Sequence, residues 1–181
     1  MKQINRILLA VLVVSISTAY SQSNSDAHTV SISIPTIALL DIESAGSNDI
    51  TLTMDAPSEA GDALAEQTDE SLWLNVTSIV GASGPVSISA SLDAALAGID
   101  LKVVSAIYSG SGFGSWGTVG DEITLSTSSQ DLVTGIKSGY TLNGPNNGFN
   151  LKYTAAAIEH NDFGDIESGD TDITVTYTLA P

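Results

Sequence analysis

The sequence predicts an all-β protein, a single antiparallel β-sandwich of about nine strands. Segments in which apolar and polar residues alternate recur from one end of the chain to the other, a period of two that is typical of half-buried strands. Turn-forming Gly, Asn, Pro and Ser residues separate these segments at short intervals. No segment is long enough for a helix that crosses over a parallel sheet, so we expect antiparallel pairing.

The first 21 residues have the features of a secretory signal peptide. Lys2 and Arg6 precede an apolar run at residues 7–14, and Ala19 and Ser21 are small residues at the positions that a signal peptidase recognises. The run is shorter than the roughly 20 apolar residues that span a bilayer. We therefore expect cleavage before Gln22, a sandwich domain over residues 22–181 that is secreted or held at the cell surface, and no membrane insertion afterwards.

The charge of the mature chain restricts its partners. Loss of residues 1–21 leaves three lysines against 21 acids, a formal net charge of 3 − 21 = −18. Nucleic acid and anionic membrane surfaces repel such a chain. The sequence has no cysteine, which excludes disulfides and thiol chemistry. Divalent cations, basic partners or simple solubility outside the cell remain as explanations of this charge.

The first half of the chain contains five predicted strands with a surface loop at Pro57–Glu70. They are His28–Ile34, Ile37–Ile42, Asp49–Met54, Ser71–Val80 and Pro85–Leu92. Alternation defines four of them, and the second is a continuous apolar run typical of a buried strand. The turn Gly81–Gly84 separates the last two, which we expect to pair as a β-hairpin.

The second half contains four predicted strands, at Leu101–Tyr108, Glu122–Thr127, Gly148–Ala157 and Asp172–Leu179. The last has the clearest pattern, because Ile173, Val175, Tyr177 and Leu179 lie on one face and threonines lie on the other. Residues 128–136 precede a dense turn signal and are predicted to open with a capped helical turn.

The loop between the last two strands is a candidate calcium site. Its carboxylates are Asp162, Asp165, Glu167, Asp170 and Asp172, with Gly164 and Gly169 between them. Ca²⁺ takes six to eight oxygen ligands in flexible geometry, although the spacing matches no EF-hand. The alternative is a solvated loop of an acidic protein that needs no cofactor.

A Gly/Ser-rich loop at residues 109–117 carries Phe113 and Trp116. Exposed aromatic rings on such a loop would suit a sugar or another surface ligand. The alternative is that the rings fold back and cover the end of the sandwich. The first interpretation predicts a carbohydrate-binding module, with or without Ca²⁺.

No catalytic constellation stands out. The chain has no G-x-S-x-G elbow, no H-E-x-x-H and no P-loop, and the mature part has no arginine to clamp a phosphate. The two histidines, His28 and His160, have no recognisable catalytic partner. We expect no enzymatic function and assign no catalytic residue.

The two terminal strands suggest a different role. A strand at a free N-terminus can leave its own domain and complete the sheet of a neighbour, and repeated head to tail this contact gives an open filament. The residues predicted to form the exchange interface are Val30, Ile32, Ile34, Ile173, Val175, Tyr177 and Leu179.

Three segments give the chain a resemblance to secreted fimbrial subunits and to the spore-coat-U-like domains of bacterial surface fibres. They are H-T-V-S-I-S-I directly after the signal peptide, G-F-N-L-K-Y at Gly148–Tyr153, and the closing D-I-T-V-T-Y-T-L strand. The resemblance implies an Ig-like or pilin-like sandwich in a fimbrium or other adhesive surface structure. Its expected partners are further copies of itself, as a homopolymer, or other surface subunits.

Overall fold

A computed structural model describes residues 24–158 and 160–181, and for residues 160–162 it describes the backbone only. The chain divides into two units, residues 1–33 and residues 34–181, and all eleven strands described belong to the second. Helical structure in the described residues is limited to one 3₁₀ segment, His160–Asp165. The all-β prediction is therefore confirmed. The predicted signal peptide lies outside the described residues.

Seven strands form the larger, antiparallel sheet. They are β1 (Ile37–Ser44), β2 (Gln67–Ile79), β4 (Ile99–Ser105), β5 (Phe113–Gly114), β7 (Ile123–Thr124), β9 (Gly139–Tyr140) and β10 (Phe149–Ala157). The long strand β2 pairs with β1 along one side and with β10 and β9 along the other. Strands β4 and β7 continue the sheet beyond β10, and β5 continues it beyond β9.

Four strands form the smaller sheet, also antiparallel. They are β3 (Val86–Leu92), β6 (Thr118–Val119), β8 (Gln130–Ile136) and β11 (Val175–Ala180), in the order β11-β3-β8-β6. Strand β11, which contains most of the predicted C-terminal strand, is therefore at one edge of this sheet.

Inward-facing side chains of both sheets form one hydrophobic core. The fully buried apolar residues are Leu74, Val76, Val103, Phe149 and Leu151 from the larger sheet and Ile88, Ala90, Leu132, Val133 and Ile136 from the smaller. In β3 buried residues recur at every second position, as the period of two predicts, and in β10 they do so over residues 149–153 before four consecutive buried residues at 153–156. Burial of these faces, at about 25 cal/mol per Å² of apolar surface, is the main stabilising term for a domain without disulfides.

The predicted hairpin is wrong, although both of its strands exist. Strand β2 lies in the larger sheet and β3 in the smaller, so the Gly81–Gly84 turn carries the chain from one sheet to the other. The alternating pattern determines which face of each strand is buried. It does not determine the partner, and a turn between two sheets has the same signature as a hairpin turn.

The predicted helical turn at residues 128–136 is also wrong, because this segment is β8. Leu132, Val133 and Ile136 are all fully buried, a spacing that resembles a helix more than a strand. Irregularities in the pairing of β8 with β3 account for this spacing, and Gly135 has a φ of 77°. A bulge puts two successive residues on one face and so breaks the period of two.

Two predicted strands, His28–Ile34 and Asp49–Met54, are not strands in the described residues. In the second of them the side chains do alternate, because Ile50, Leu52 and Met54 are half-buried and Thr51 and Thr53 are exposed. Ile50 and Leu52 pack against the core. The alternation was therefore a correct sign of an apolar face, but this segment pairs with no described strand.

The other seven predicted strands are present, with shifted ends. The part of the chain that the structure describes contains no helix with the length and apolar character needed to cross a membrane.

Candidate functional site

The first candidate site is the edge of the sandwich where β1 and β11 come together. Among the described strands β1 pairs only with β2, and β11 pairs only with β3. Cα atoms of β1 and β11 approach within 8 Å, yet no ladder joins the two strands. Each strand therefore presents a row of outward backbone N–H and C=O groups that a further strand can pair with.

Half-buried apolar side chains line this open edge. They are Leu40 and Ile42 from β1, and Ile173, Val175, Tyr177 and Leu179 in and just before β11. The structure thus groups the four C-terminal residues that the sequence predicts for strand exchange. Sequence reasoning missed Leu40 and Ile42. They lie at this edge only because β1 pairs with β2, and the sequence pattern does not show that pairing.

Tyr177 also joins the two sheets. Its hydroxyl lies 2.5 Å from the hydroxyl of Tyr153 on β10, so one hydrogen bond links the smaller sheet to the larger. Burial raises the pKa of Tyr153 to about 12, and burial next to Tyr153 raises the pKa of Tyr177 far above its ordinary value. Both hydroxyls are therefore protonated at neutral pH, as the bond between them requires.

The start of β11 is held by Asp93, just after β3. The Asp93 Oδ1 accepts a hydrogen bond of 2.9 Å from the Thr174 N–H, and the Asp93 N–H donates to the Thr174 carbonyl over 3.1 Å. The Thr174 N–H stabilises the carboxylate and lowers the pKa of Asp93 below its ordinary value. This pair of bonds aligns β11 with β3 and leaves its other edge open.

The N-terminal members of the predicted exchange interface are exposed. Val30, Ile32 and Ile34 all have most of their side-chain surface accessible, and Ile32 reaches 82%. Three large aliphatic side chains at alternate positions are thus presented to solvent.

The second candidate site is on the outer face of the larger sheet. Strand register aligns four residues across it: Leu39 is opposite Thr77, Thr77 opposite Tyr140, and Tyr140 opposite Phe113. This outer-face row crosses β1, β2, β9 and β5, and spans roughly 14 Å at about 4.8 Å per strand. Leu39, Tyr140 and Phe113 are 64%, 44% and 72% exposed, and the centroids of the two aromatic rings lie 6.1 Å apart.

Buried hydrogen bonds place Phe113 in this row. The Tyr108 hydroxyl accepts a bond of 2.7 Å from the Gly112 N–H and donates one of 3.0 Å to the Thr141 carbonyl. A Cβ at position 112 would lie closer than 3.0 Å to the Tyr140 carbonyl oxygen, so β5 approaches β9 this closely only with glycine there.

The loop after β9 is held from beneath by β2. The Thr141 Oγ1 accepts a bond of 2.9 Å from the Val76 N–H, and the Asn75 side-chain amide donates one of 3.0 Å to the Gly144 carbonyl. Between these anchors Leu142 has a φ of 82°, a conformation uncommon for a residue with a branched side chain, and its side chain is partly exposed. The loop therefore places an apolar residue beside the row at a cost in backbone strain.

Replacing Thr141 by valine should destabilise the domain by about 1–3 kcal/mol. The variant keeps the shape of the buried side chain but leaves the Val76 N–H without its acceptor. Urea unfolding followed by tryptophan fluorescence measures the change. Thr141→Ser, which retains the hydroxyl, is the matched control and should lose less. A Thr141→Val protein as stable as the original chain would contradict the prediction.

The predicted aromatic pair is separated in the structure. Trp116 packs against the core, with its ring centroid 4.5 Å from that of Tyr108 and 6.0 Å from that of Phe149. Trp116 is half-buried, whereas Phe113 is 72% exposed. Tyr140 and Leu39, which complete the row, were missed because their alignment depends on pairing between strands that are distant in sequence.

The acidic loop shows no assembled metal site. Asp165, Glu167, Asp170 and Asp172 are exposed, and the side chain of Asp162 is outside the described residues. No group of three Asp, Glu or His side chains in the described parts of the chain is placed to hold a metal ion. Calcium binding stays a prediction.

The fold and these two sites define an antiparallel β-sandwich with an open edge and an apolar outer face. Searches against protein-family models, curated protein sequences and solved structures found no significant match.

Proposed function

We propose that this chain is an exported structural subunit of an extracellular fibre or surface layer, and that copies assemble by strand exchange. The observation that supports this best is the open edge, where β11 has an unpaired side and half-buried apolar residues. The resemblance to fimbrial subunits and the predicted signal peptide point the same way. The proposal assigns no catalytic step and needs no cofactor.

The acceptor in this proposal is β11 of one copy. In an edge strand alternate N–H and C=O groups point away from the sheet, so a strand laid alongside β11 gains main-chain hydrogen bonds without changing the domain. Val175, Tyr177 and Leu179 alternate with exposed Thr176 and Thr178. A strand beside β11 continues both its apolar inner face and its polar outer face.

The donor is His28–Ile34 of the next copy. Val30, Ile32 and Ile34 have the same two-residue spacing as Val175, Tyr177 and Leu179, so three apolar side chains of the donor match three of the acceptor. Each exposed aliphatic side chain gains about 1.5–3 kcal/mol on full burial. Thr29, Ser31 and Ser33 would remain in solvent on the other face.

Replacing Val30, Ile32 and Ile34 together by serine should abolish polymerisation of the mature chain. The segment keeps its backbone groups but loses the apolar contacts that hold it at the open edge. The matched control changes Thr29, Ser31 and Ser33 to alanine in the same segment and should still polymerise. Sedimentation velocity and negative-stain electron microscopy measure the assembly state. Polymers of normal length from the serine variant would refute the donor role.

Disulfide cross-linking tests whether β11 is the acceptor. The chain has no cysteine of its own, so only the introduced cysteines can form a disulfide. Mixing a Ser31→Cys chain with a Thr178→Cys chain should give a dimer that is sensitive to reducing agent. Thr124→Cys, on the far edge strand β7, replaces Thr178→Cys in the control mixture. Equal cross-linking to positions 124 and 178 would argue against β11 as the acceptor.

A further inference from the structure

The outer-face row has a feature that strand exchange leaves unexplained. Edge pairing uses backbone groups and inward side chains, whereas Leu39, Tyr140 and Phe113 point outward from the larger sheet. Monomeric proteins expose single apolar residues commonly, but contiguous apolar patches usually mark interaction sites. Here four strands contribute to one patch, and the strained Leu142 extends it.

A cleft lies beside this row. Its volume is ≈ 440 Å³, and Leu39, Tyr140 and Leu142 line it together with Asp41, Thr77 and Asn143. This volume is within the range of small-ligand sites, about 300–1,000 Å³. Apolar surface thus alternates with a carboxylate, an amide and hydroxyl groups, and this combination suits a ligand with both C–H faces and many hydroxyls.

The charge around the cleft favours a neutral ligand. Asp41 is the charged side chain that lines it, and no lysine or arginine does. An anionic ligand would meet this carboxylate and the field of a chain with a net charge of −18 after signal cleavage. A second copy on the same face would bring two such chains together without strand pairing to offset their repulsion.

We propose that the outer-face row and its cleft bind a neutral carbohydrate. The rings of Phe113 and Tyr140 pack against the C–H face of sugar residues, while Asp41, Asn143 and the hydroxyls of Thr77 and Tyr140 hydrogen-bond to sugar hydroxyls. The proposal does not depend on strand exchange. A fibre whose subunits carry it would have a sugar-binding site on every copy.

Affinity electrophoresis of the full mature chain carrying the Val30/Ile32/Ile34 serine substitutions tests this proposal, because this chain is expected to stay monomeric and its strong negative charge should carry it into a native gel. The gels contain hydroxyethylcellulose, laminarin or galactomannan as neutral probes, and dextran sulfate as the anionic probe. We expect retardation by at least one neutral polysaccharide and none by dextran sulfate. Phe113→Ala and Tyr140→Ala should each lower the affinity for that polysaccharide, as measured by the retardation, at least tenfold.

Phe163→Ala is the matched control, because Phe163 is a partly exposed phenylalanine that lines neither the row nor the cleft. It should leave retardation unchanged. Because the serine substitutions remove strand exchange from every chain compared, the result tests sugar binding separately from assembly. Absence of retardation by all three neutral polysaccharides would overturn the proposal. An equal loss in Phe163→Ala would overturn it too.

Two other results would assign the face to a different occupant. Binding to phosphatidylcholine vesicles that is abolished by Phe113→Ala would assign it to a membrane. A dimer that Phe113→Ala dissociates would assign it to a second copy.

Discussion

Replacing Gly148 by alanine is expected to lower the free energy of unfolding by roughly 3–5 kcal/mol, a large share of the 5–15 kcal/mol typical of a domain. A Cβ at this buried position would lie closer than 3.0 Å to both the Leu74 carbonyl oxygen and the Asn75 Oδ1. Phe149, the next residue, pairs with Leu74, so relief of the clash would separate β10 from β2 at the centre of the larger sheet. Urea unfolding followed by circular dichroism measures the loss.

Gly46→Ala is the control for this substitution. A Cβ at Gly46 would meet nothing within 4 Å, and its backbone does not require glycine. This variant should unfold within about 0.5 kcal/mol of the original chain. A Gly148→Ala protein of equal stability would show that the contact between β2 and β10 is looser than described.

Removing one hydroxyl of the Tyr153–Tyr177 pair should destabilise the domain more than removing both. Tyr177→Phe leaves the buried Tyr153 hydroxyl without its partner, a cost of about 1–3 kcal/mol, and Tyr153→Phe does the converse. The double variant removes both polar groups from the core together. A double-mutant cycle in urea should therefore show a cost for the double variant that is well below the sum of the single costs.

The same pair predicts sensitivity to alkali. Burial raises the pKa of folded Tyr153 to about 12 from an unfolded value of 10, and the pKa of Tyr177 is raised as well. Because the folded state holds these protons more tightly, the stabilisation is complete below pH 10 and is lost as pH rises from 10 towards 12. The free energy of unfolding should fall over this range, and phenolate absorbance should rise with it.

The Tyr153→Phe/Tyr177→Phe variant isolates the contribution of this pair to the alkaline transition. It should lose most of the decrease in stability between pH 10 and 12 while its neutral-pH behaviour stays similar. An unchanged pH profile in the double variant would mean that other groups cause the alkaline loss.

The fold class could be predicted from the sequence because apolar residues at every second position indicate a strand with one buried face. Strands β3 and β11 follow that rule, so their inward residues could be identified in advance. Strand β8 could not, since the irregular pairing around Val133 imitates helical spacing. The pairing partner of each strand could not be predicted either. The inward faces of β2 and β3 have the same alternating apolar pattern, which does not show the sheet to which each strand belongs.

The sequence predicted more residues of the open edge than of the outer-face row. Ile173, Val175, Tyr177 and Leu179 are close in sequence, and their alternation identified them as one apolar face. The outer-face row joins residues 39, 77, 113 and 140, which come together only through the register of four strands. Phe113 could be identified as an unusual loop aromatic, but nothing local distinguishes it from Trp116, which is half-buried and packs against the core.

The antiparallel ladder between β11 and β3 has a mechanical consequence. Residues 175–180 pair in unbroken register with residues 92–87, with hydrogen bonds perpendicular to the strands. A pull along β11 would load these bonds in shear, so that several must break at once, whereas a pull across the sheet would open them one after another. In a fibre whose tension runs along this strand, the attachment of β11 to its own domain would resist force far better than its modest length suggests.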